Sequence, residues 1–142
     1  MKKPMATLAA AATLAAGAAV LTAPAAQAAT ISGSAVKYVF CSANPNNNEI
    51  IYYDRYGKVD KFVSLTDKVG DSLYCGHVEV GIESDSYVWS AIRNDNSTYV
   101  YTAIYDVHYP LFSGSTGAPP QYTLVGRDES HSRYGGYNSA MA

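Results

Sequence analysis

A chain of 142 residues with 10 Lys and Arg against 12 Asp and Glu carries a formal charge of -2, and only 15% of its residues are charged. That balance, with no basic cluster anywhere, argues against nucleic acid and against an anionic membrane surface as partners. The length suits one domain, and 13 tyrosines against three phenylalanines and one tryptophan fit half-exposed sheet faces better than a dry aromatic core.

The chain opens with Lys2 and Lys3, an Ala/Leu-rich run from Ala6 to Leu21, and the small-x-small pattern of Ala26 and Ala28. A basic start, a short apolar stretch and such a site predict a secretory signal peptide over 1–28, cut after Ala28, in an alanine-rich bacterial style. The mature protein is therefore expected outside the cell. It carries two cysteines, Cys41 and Cys75, which in an exported chain predict one disulfide.

From Val36 onward the hydrophobic pattern has period two. Candidate strands are "VKYVFC", "EIIYY", "KVDKFVSL", "LYCGHVEVGI", "SYVWSAIR", "TYVYTAIYDV" and "QYTLVG", rich in Val, Ile, Tyr, Phe and Thr. Turn residues separate them at Asn44–Asn48, Asp54–Gly57, Val69–Ser72 and Asn94–Ser97. About seven short strands at this spacing predict an all-β fold, an antiparallel β-sandwich or small barrel, over 29–126. A single twisted sheet that buries its second face in a dimer is the alternative, so an oligomer is possible on this reading. The polar, glycine-bearing stretch 127–142 has no apolar face and is expected to be a flexible tail.

Two hairpins are specific. "DRYG" fits a type I turn with Gly57 in the left-handed position. "NDNS" is expected to join "SYVWSAIR" to "TYVYTAIYD" with Arg93 opposite Thr98, Ile92 opposite Tyr99 and Trp89 opposite Thr102. One face of that hairpin then holds Tyr87, Trp89, Ala91, Val100, Thr102 and Ile104, and is assigned to the core. The other holds Val88, Ser90, Ile92, Tyr99, Tyr101, Ala103 and Tyr105.

The second face is the candidate site. Tyr99, Tyr101 and Tyr105, with Ile92 and Ser90 beside them, form a row of rings that suits stacking on sugar rings or receiving an extended peptide. The expected function is a small secreted, non-catalytic binding module for an extracellular glycan or a secreted protein. Two alternatives stand beside it. One is an inhibitor of an extracellular hydrolase, presenting the loop "SANPNNNE" or "SGSTGAPPQ". The other is a self-assembling surface protein.

Catalytic motifs are lacking: there is no G-x-S-x-G, phosphate loop, H-E-x-x-H or paired-cysteine metal spacing. No cofactor is expected. His77 with Glu79, and Asp106 with His108, are i, i+2 pairs that would meet around a zinc ion were their strands neighbours. The simpler reading, adopted here, is the solvent side of alternating strands and no metal. Glu83–Asp85 and Asn94–Asn96 offer oxygen ligands for calcium but read as turns bonded to local backbone.

Overall fold

A computed structural model describes residues 31–83, 87–110 and 117–142. The predicted signal peptide lies outside the described residues. Nine strands are found among them: β1 (Ala35–Ser42), β2 (Asn48–Asp54), β3 (Gly57–Val63), β4 (Asp67–Val69), β5 (Leu73–Gly81), β6 (Trp89–Asn94), β7 (Tyr99–His108), β8 (Gln121–His131) and β9 (Gly136–Met141). They form two antiparallel sheets that face one another as a sandwich. Sheet A has the order β4-β5-β1-β7-β8, and sheet B the order β3-β2-β6-β9.

Alternation decides which side chains meet between the sheets. Val36, Tyr38, Phe40 and Ser42 of β1 and Val100, Thr102 and Ile104 of β7 point inward from sheet A, each almost wholly buried. Ile50 and Tyr52 of β2 and Ile92 of β6 meet them from sheet B. Tyr52 stacks obliquely on Tyr38 and Phe40, at ring-centroid distances of 5.4 and 6.4 Å. The buried Tyr38 hydroxyl donates to the Tyr53 carbonyl at 2.8 Å, so its polar end is satisfied inside the core. Burial raises its pKa well above the ordinary phenol value.

The "DRYG" hairpin forms as read. Asp54 pairs with Gly57, the Asp54 carboxylate accepts the Tyr56 amide at 2.7 Å, and Gly57 has φ 122°. Cys41 and Cys75 are directly opposed on β1 and β5 and form the disulfide.

Three expectations are corrected. First, the hairpin across "NDNS" does not exist. β6 lies in sheet B between β2 and β9, whereas β7 lies in sheet A between β1 and β8. The connection is an arch between layers, and its Ser97 is buried, accepting from the Ser42 hydroxyl at 2.8 Å and donating to the Tyr99 carbonyl at 2.7 Å. Ser90 and Thr102, expected on opposite faces, meet across the core with hydroxyls 2.7 Å apart.

Second, the facing of β6 is the reverse of that expected. Ser90, Ile92 and Asn94 point inward, and Trp89 points outward. Third, the stretch 127–142 carries strand where a tail was expected: the end of β8, to His131, pairs with β7, and β9 pairs with β6 from Trp89↔Met141 to Asn94↔Gly136. The inward positions of β9 are Gly136, Asn138 and Ala140, small because the sheets come close on this side. A Cβ on Gly136 would lie 2.7 Å from the Val100 side chain, and one on Gly126 of β8 would lie 2.6 Å from the Met141 carbonyl. The short β4 and the late β9 account for nine strands instead of seven.

Candidate functional site

Tyr99, Tyr101 and Tyr105 lie in single file along the outer face of sheet A, as β7 alternation requires. Cross-strand register sets their neighbours. Glu79, Lys37, Tyr105 and Leu124 form one row across the sheet. His77, Val39, Ala103 and Arg127 form the next, and Cys75, Cys41, Tyr101 and Glu129 the one after. Tyr99 pairs with His131 at the end. Tyr122 of β8 completes the face, its hydroxyl donating to Glu79 at 3.3 Å and its ring under the Lys37 ammonium at 4.8 Å.

Each β7 tyrosine is half-buried. The Tyr99 hydroxyl donates to Glu129 at 2.7 Å, and the ring packs on His131 with centroids 4.7 Å apart. Partial burial and then the Glu129 carboxylate push its pKa up to about 12. Tyr101 is raised too, by partial burial and by the neighbouring Tyr105 phenol, against the opposing charge of Arg127. Burial and Glu79 raise Tyr122. These phenols remain neutral donors across the physiological range. The face is thus a lattice of rings and hydrogen-bonding groups of both signs.

Ile92 and Ser90 are not brought to this face. Both are fully buried, on the inner side of sheet B, because β6 belongs to the other layer. Ile92 fills the core, and Ser90 is committed to Thr102.

The two acid–histidine pairs do not meet. β1 separates their strands, with His77 and Glu79 outside sheet A and Asp106 on its inner side beside His108. Among the described residues no three His, Cys, Asp or Glu side chains gather in a way that would hold a metal.

Asp106 and His108 do meet a serine, Ser32. The Ser32 hydroxyl lies 3.0 Å from His108 Nε2 and 3.1 Å from Asp106, and the same Nε2 lies 3.2 Å from Asp106. In a hydrolase triad the acid holds the imidazole nitrogen remote from the serine. Here a single nitrogen faces both groups, and Asp106 spends its oxygens on the backbone amides of Ser32 and Gly33 at 2.9 and 2.8 Å. The cluster is a clamp on the segment before β1. Burial opposes the Asp106 carboxylate, but those two amides, the Ser32 hydroxyl and His108 outweigh it and hold its pKa below the usual carboxylate range.

The asparagine loops are self-bonded. Asn48 donates to the Asn44 carbonyl at 2.9 Å, while Asn94 donates to the Asn46 carbonyl at 2.9 Å and to the Asn48 side chain at 2.8 Å. Asn94 Oδ1 accepts the Asn96 amide at 2.9 Å, so its oxygen serves the turn. Of the other calcium candidate, 84–85 lie outside the described residues, as do 113–116 of the second candidate inhibitor loop.

Sequence reasoning missed a second aromatic surface, the outer face of sheet B. It bears Trp89, Tyr53, Phe62, Tyr137 and Met141, with Tyr87 packed edge-on against Tyr53 at 5.2 Å. Strict alternation along β2, with Ile50 and Tyr52 inside, was enough to place Tyr53 there. Trp89 stands outside because β6 turns Ser90, Ile92 and Asn94 inward, which puts the large ring on the alternate, outer face. Comparison with family models, with curated proteins and with solved structures finds no match to this chain.

Proposed function

We propose that this chain is a non-catalytic binding module that works outside the cell and holds a glycan chain across the outer face of sheet A. The observation that carries the reading is the alignment of Tyr99, Tyr101 and Tyr105 on one face, flanked by Tyr122, Lys37, Arg127, Glu79 and Glu129. Half-exposed rings stack on the C–H faces of sugars, and the interleaved charged groups supply donors and acceptors for hydroxyls. The rings are held by ladder pairing and by the Tyr99–Glu129 bond, so little conformational freedom is lost on binding. The leader pattern and the disulfide both suit an oxidising compartment.

The test is depletion of the protein from solution by insoluble peptidoglycan, chitin and xylan, with Tyr101→Ala, Tyr105→Ala and the double variant alongside. Each lost ring should weaken retention roughly two- to tenfold. Retention unchanged in the double variant, or no retention on any of the three, overturns the reading. The self-bonded Asn44–Asn48 loop, with Asn47 at φ 56°, favours one second reading, inhibition of a secreted hydrolase by a preset loop. Stoichiometric loss of a protease's activity on adding the protein would support it instead.

A further inference from the structure

The two sheets open like a wedge. At β8 and β9 they nearly touch, since a Cβ on Gly126 would lie 2.6 Å from the Met141 carbonyl. On the opposite side, Val78 and Val80 of β5 and Val59 and Val63 of β3 pack on the core but stay only partly buried. A cleft of about 280 Å³ opens there, with Phe40, Ile50 and Leu65 as a buried floor and Val63 and Val78 as half-buried walls. Lys61 turns toward the same cleft, because β3 pairs it with the inward Ile50. Its ammonium lies 5.7 Å from the Tyr52 ring centre, and among the described residues no carboxylate pairs with it.

The cleft is bordered by a free sheet edge. The Ile82 amide donates to the Ser34 carbonyl at 3.0 Å, so by antiparallel alternation Val80, Val78 and Gly76 also exchange their bonds with β1. The N–H and C=O groups of His77, Glu79 and Gly81 therefore point the other way, toward the β4 side. β4 pairs only with Leu73–Cys75 and stops short of them. Among the described residues these groups have no backbone partner. The other edges are blunted: β3 by Lys58 and Lys61, β8 by the bulge near Leu124–Gly126, and β9 by its approach to β8. The stretch His77–Gly81 has no lysine, proline or bulge.

We infer that this edge and cleft take an extended peptide from a partner protein, added to sheet A as a strand in line with β4. An extended backbone is the ligand whose donors and acceptors repeat at the spacing of His77, Glu79 and Gly81. Its alternate side chains would enter the cleft beside Val78 and Val80, and an acidic one at the mouth would meet Lys61. The connection through Leu65 closes one end, and the Arg55 guanidinium, seated against Gly81, closes the other, which leaves room for about five residues. A second copy of the chain fits less well. Two β5 edges paired about the middle of this stretch would set Glu79 opposite Glu79. The site lies at the edge of sheet A and between the sheets, apart from the tyrosine row, so it stands or falls separately from the glycan reading.

The experiment pans a random heptapeptide library displayed on phage against the immobilised full chain, then measures synthetic copies of the enriched peptides by calorimetry and amide exchange. Enriched peptides should carry apolar residues at alternate positions and an acidic residue. In the free protein the His77 and Glu79 amides should exchange fast and the Val78 and Val80 amides slowly, and bound peptide should protect His77 and Glu79. Glu79→Pro removes a donor that the native ladder does not use, so the fold is kept. It should nonetheless weaken peptide binding about tenfold or more, whereas Glu79→Gln should not. Lys61→Glu, a change at an exposed side chain, should weaken acidic peptides by about tenfold as well. His77 and Glu79 amides already protected in the free protein overturn the inference, as does the absence of any enriched peptide, or equal binding to Glu79→Pro or Lys61→Glu. Sedimentation showing a dimer that Glu79→Pro dissociates also overturns it, by assigning the edge to a second copy.

Discussion

Replacing Asp106 with asparagine tests the clamp before β1 and the charge on which it depends. The Asp106 side chain is 4% exposed and accepts three bonds, from the Ser32 amide, the Ser32 hydroxyl and the Gly33 amide. Hydrogen bonds to a charged acceptor contribute about 1.5–3 kcal/mol each, and these share one carboxylate, so they do not simply add. Asparagine keeps one oxygen but turns an amide donor toward a backbone donor, losing one bond and leaving an N–H unpaired. The expected cost at pH 7 is about 2–3 kcal/mol. Because the folded-state pKa of Asp106 is depressed, its contribution is full above the unfolded carboxylate value of about 3.9 and is lost as pH falls through the lower folded value. Urea denaturation of both proteins at pH 7 and at pH 2.5 measures the difference. The gap in unfolding free energy should shrink at the acid pH. An equal gap at both would show that the carboxylate charge is not what holds Ser32 and Gly33, and would refute the reasoning.

Other outcomes are expected from the same geometry. Removing the disulfide with Cys41→Ala and Cys75→Ala, 34 residues apart, should cost about 3–4 kcal/mol of stability in urea on the chain-entropy model. Gly135→Ala should destabilise by more than about 2 kcal/mol, because φ is 104° and the new Cβ would lie 2.7 Å from Asp95 backbone atoms; faster amide exchange in β6 and β9 would report it. Ser90→Ala should cost about 1–3 kcal/mol by orphaning the Thr102 hydroxyl, whereas Ser90→Ala with Thr102→Val should cost less than the sum of the single changes. Glu129→Gln should lower the Tyr99 pKa from about 12 toward its ordinary value, seen as earlier ionisation in an ultraviolet titration.

The fold class was legible because period-two alternation and β-branched residues are written into nearly every segment from Val36 to Val107. Asp54–Gly57 was legible because its turn chemistry is local. The Asn94–Ser97 connection was not, since a tight hairpin and an arch between sheets use the same turn residues. What distinguishes them is the buried Ser97 hydroxyl and its partner Ser42, 55 residues away. The strand at Gly136–Met141 was hidden for a related reason. Where two layers approach closely, the inward positions must be small, and Gly136, Asn138 and Ala140 carry no apolar signal. Of the candidate site, Tyr99, Tyr101 and Tyr105 followed from alternation within one strand. Ser90 and Ile92 depended on pairing between two strands, and a one-residue change of facing moved both into the core.

The position of the disulfide has a consequence for how the chain finds its alignment. Cys41 and Cys75 are direct partners, so the bond closes only when β1 and β5 are aligned as they are in the native sheet. A slip by one residue would turn Tyr38 and Phe40 out of the core and, at the same time, point the two sulfurs to opposite faces. Oxidation therefore acts as a gauge. A misaligned pair stays reduced and free to separate and try again, and only the correct pairing is made permanent.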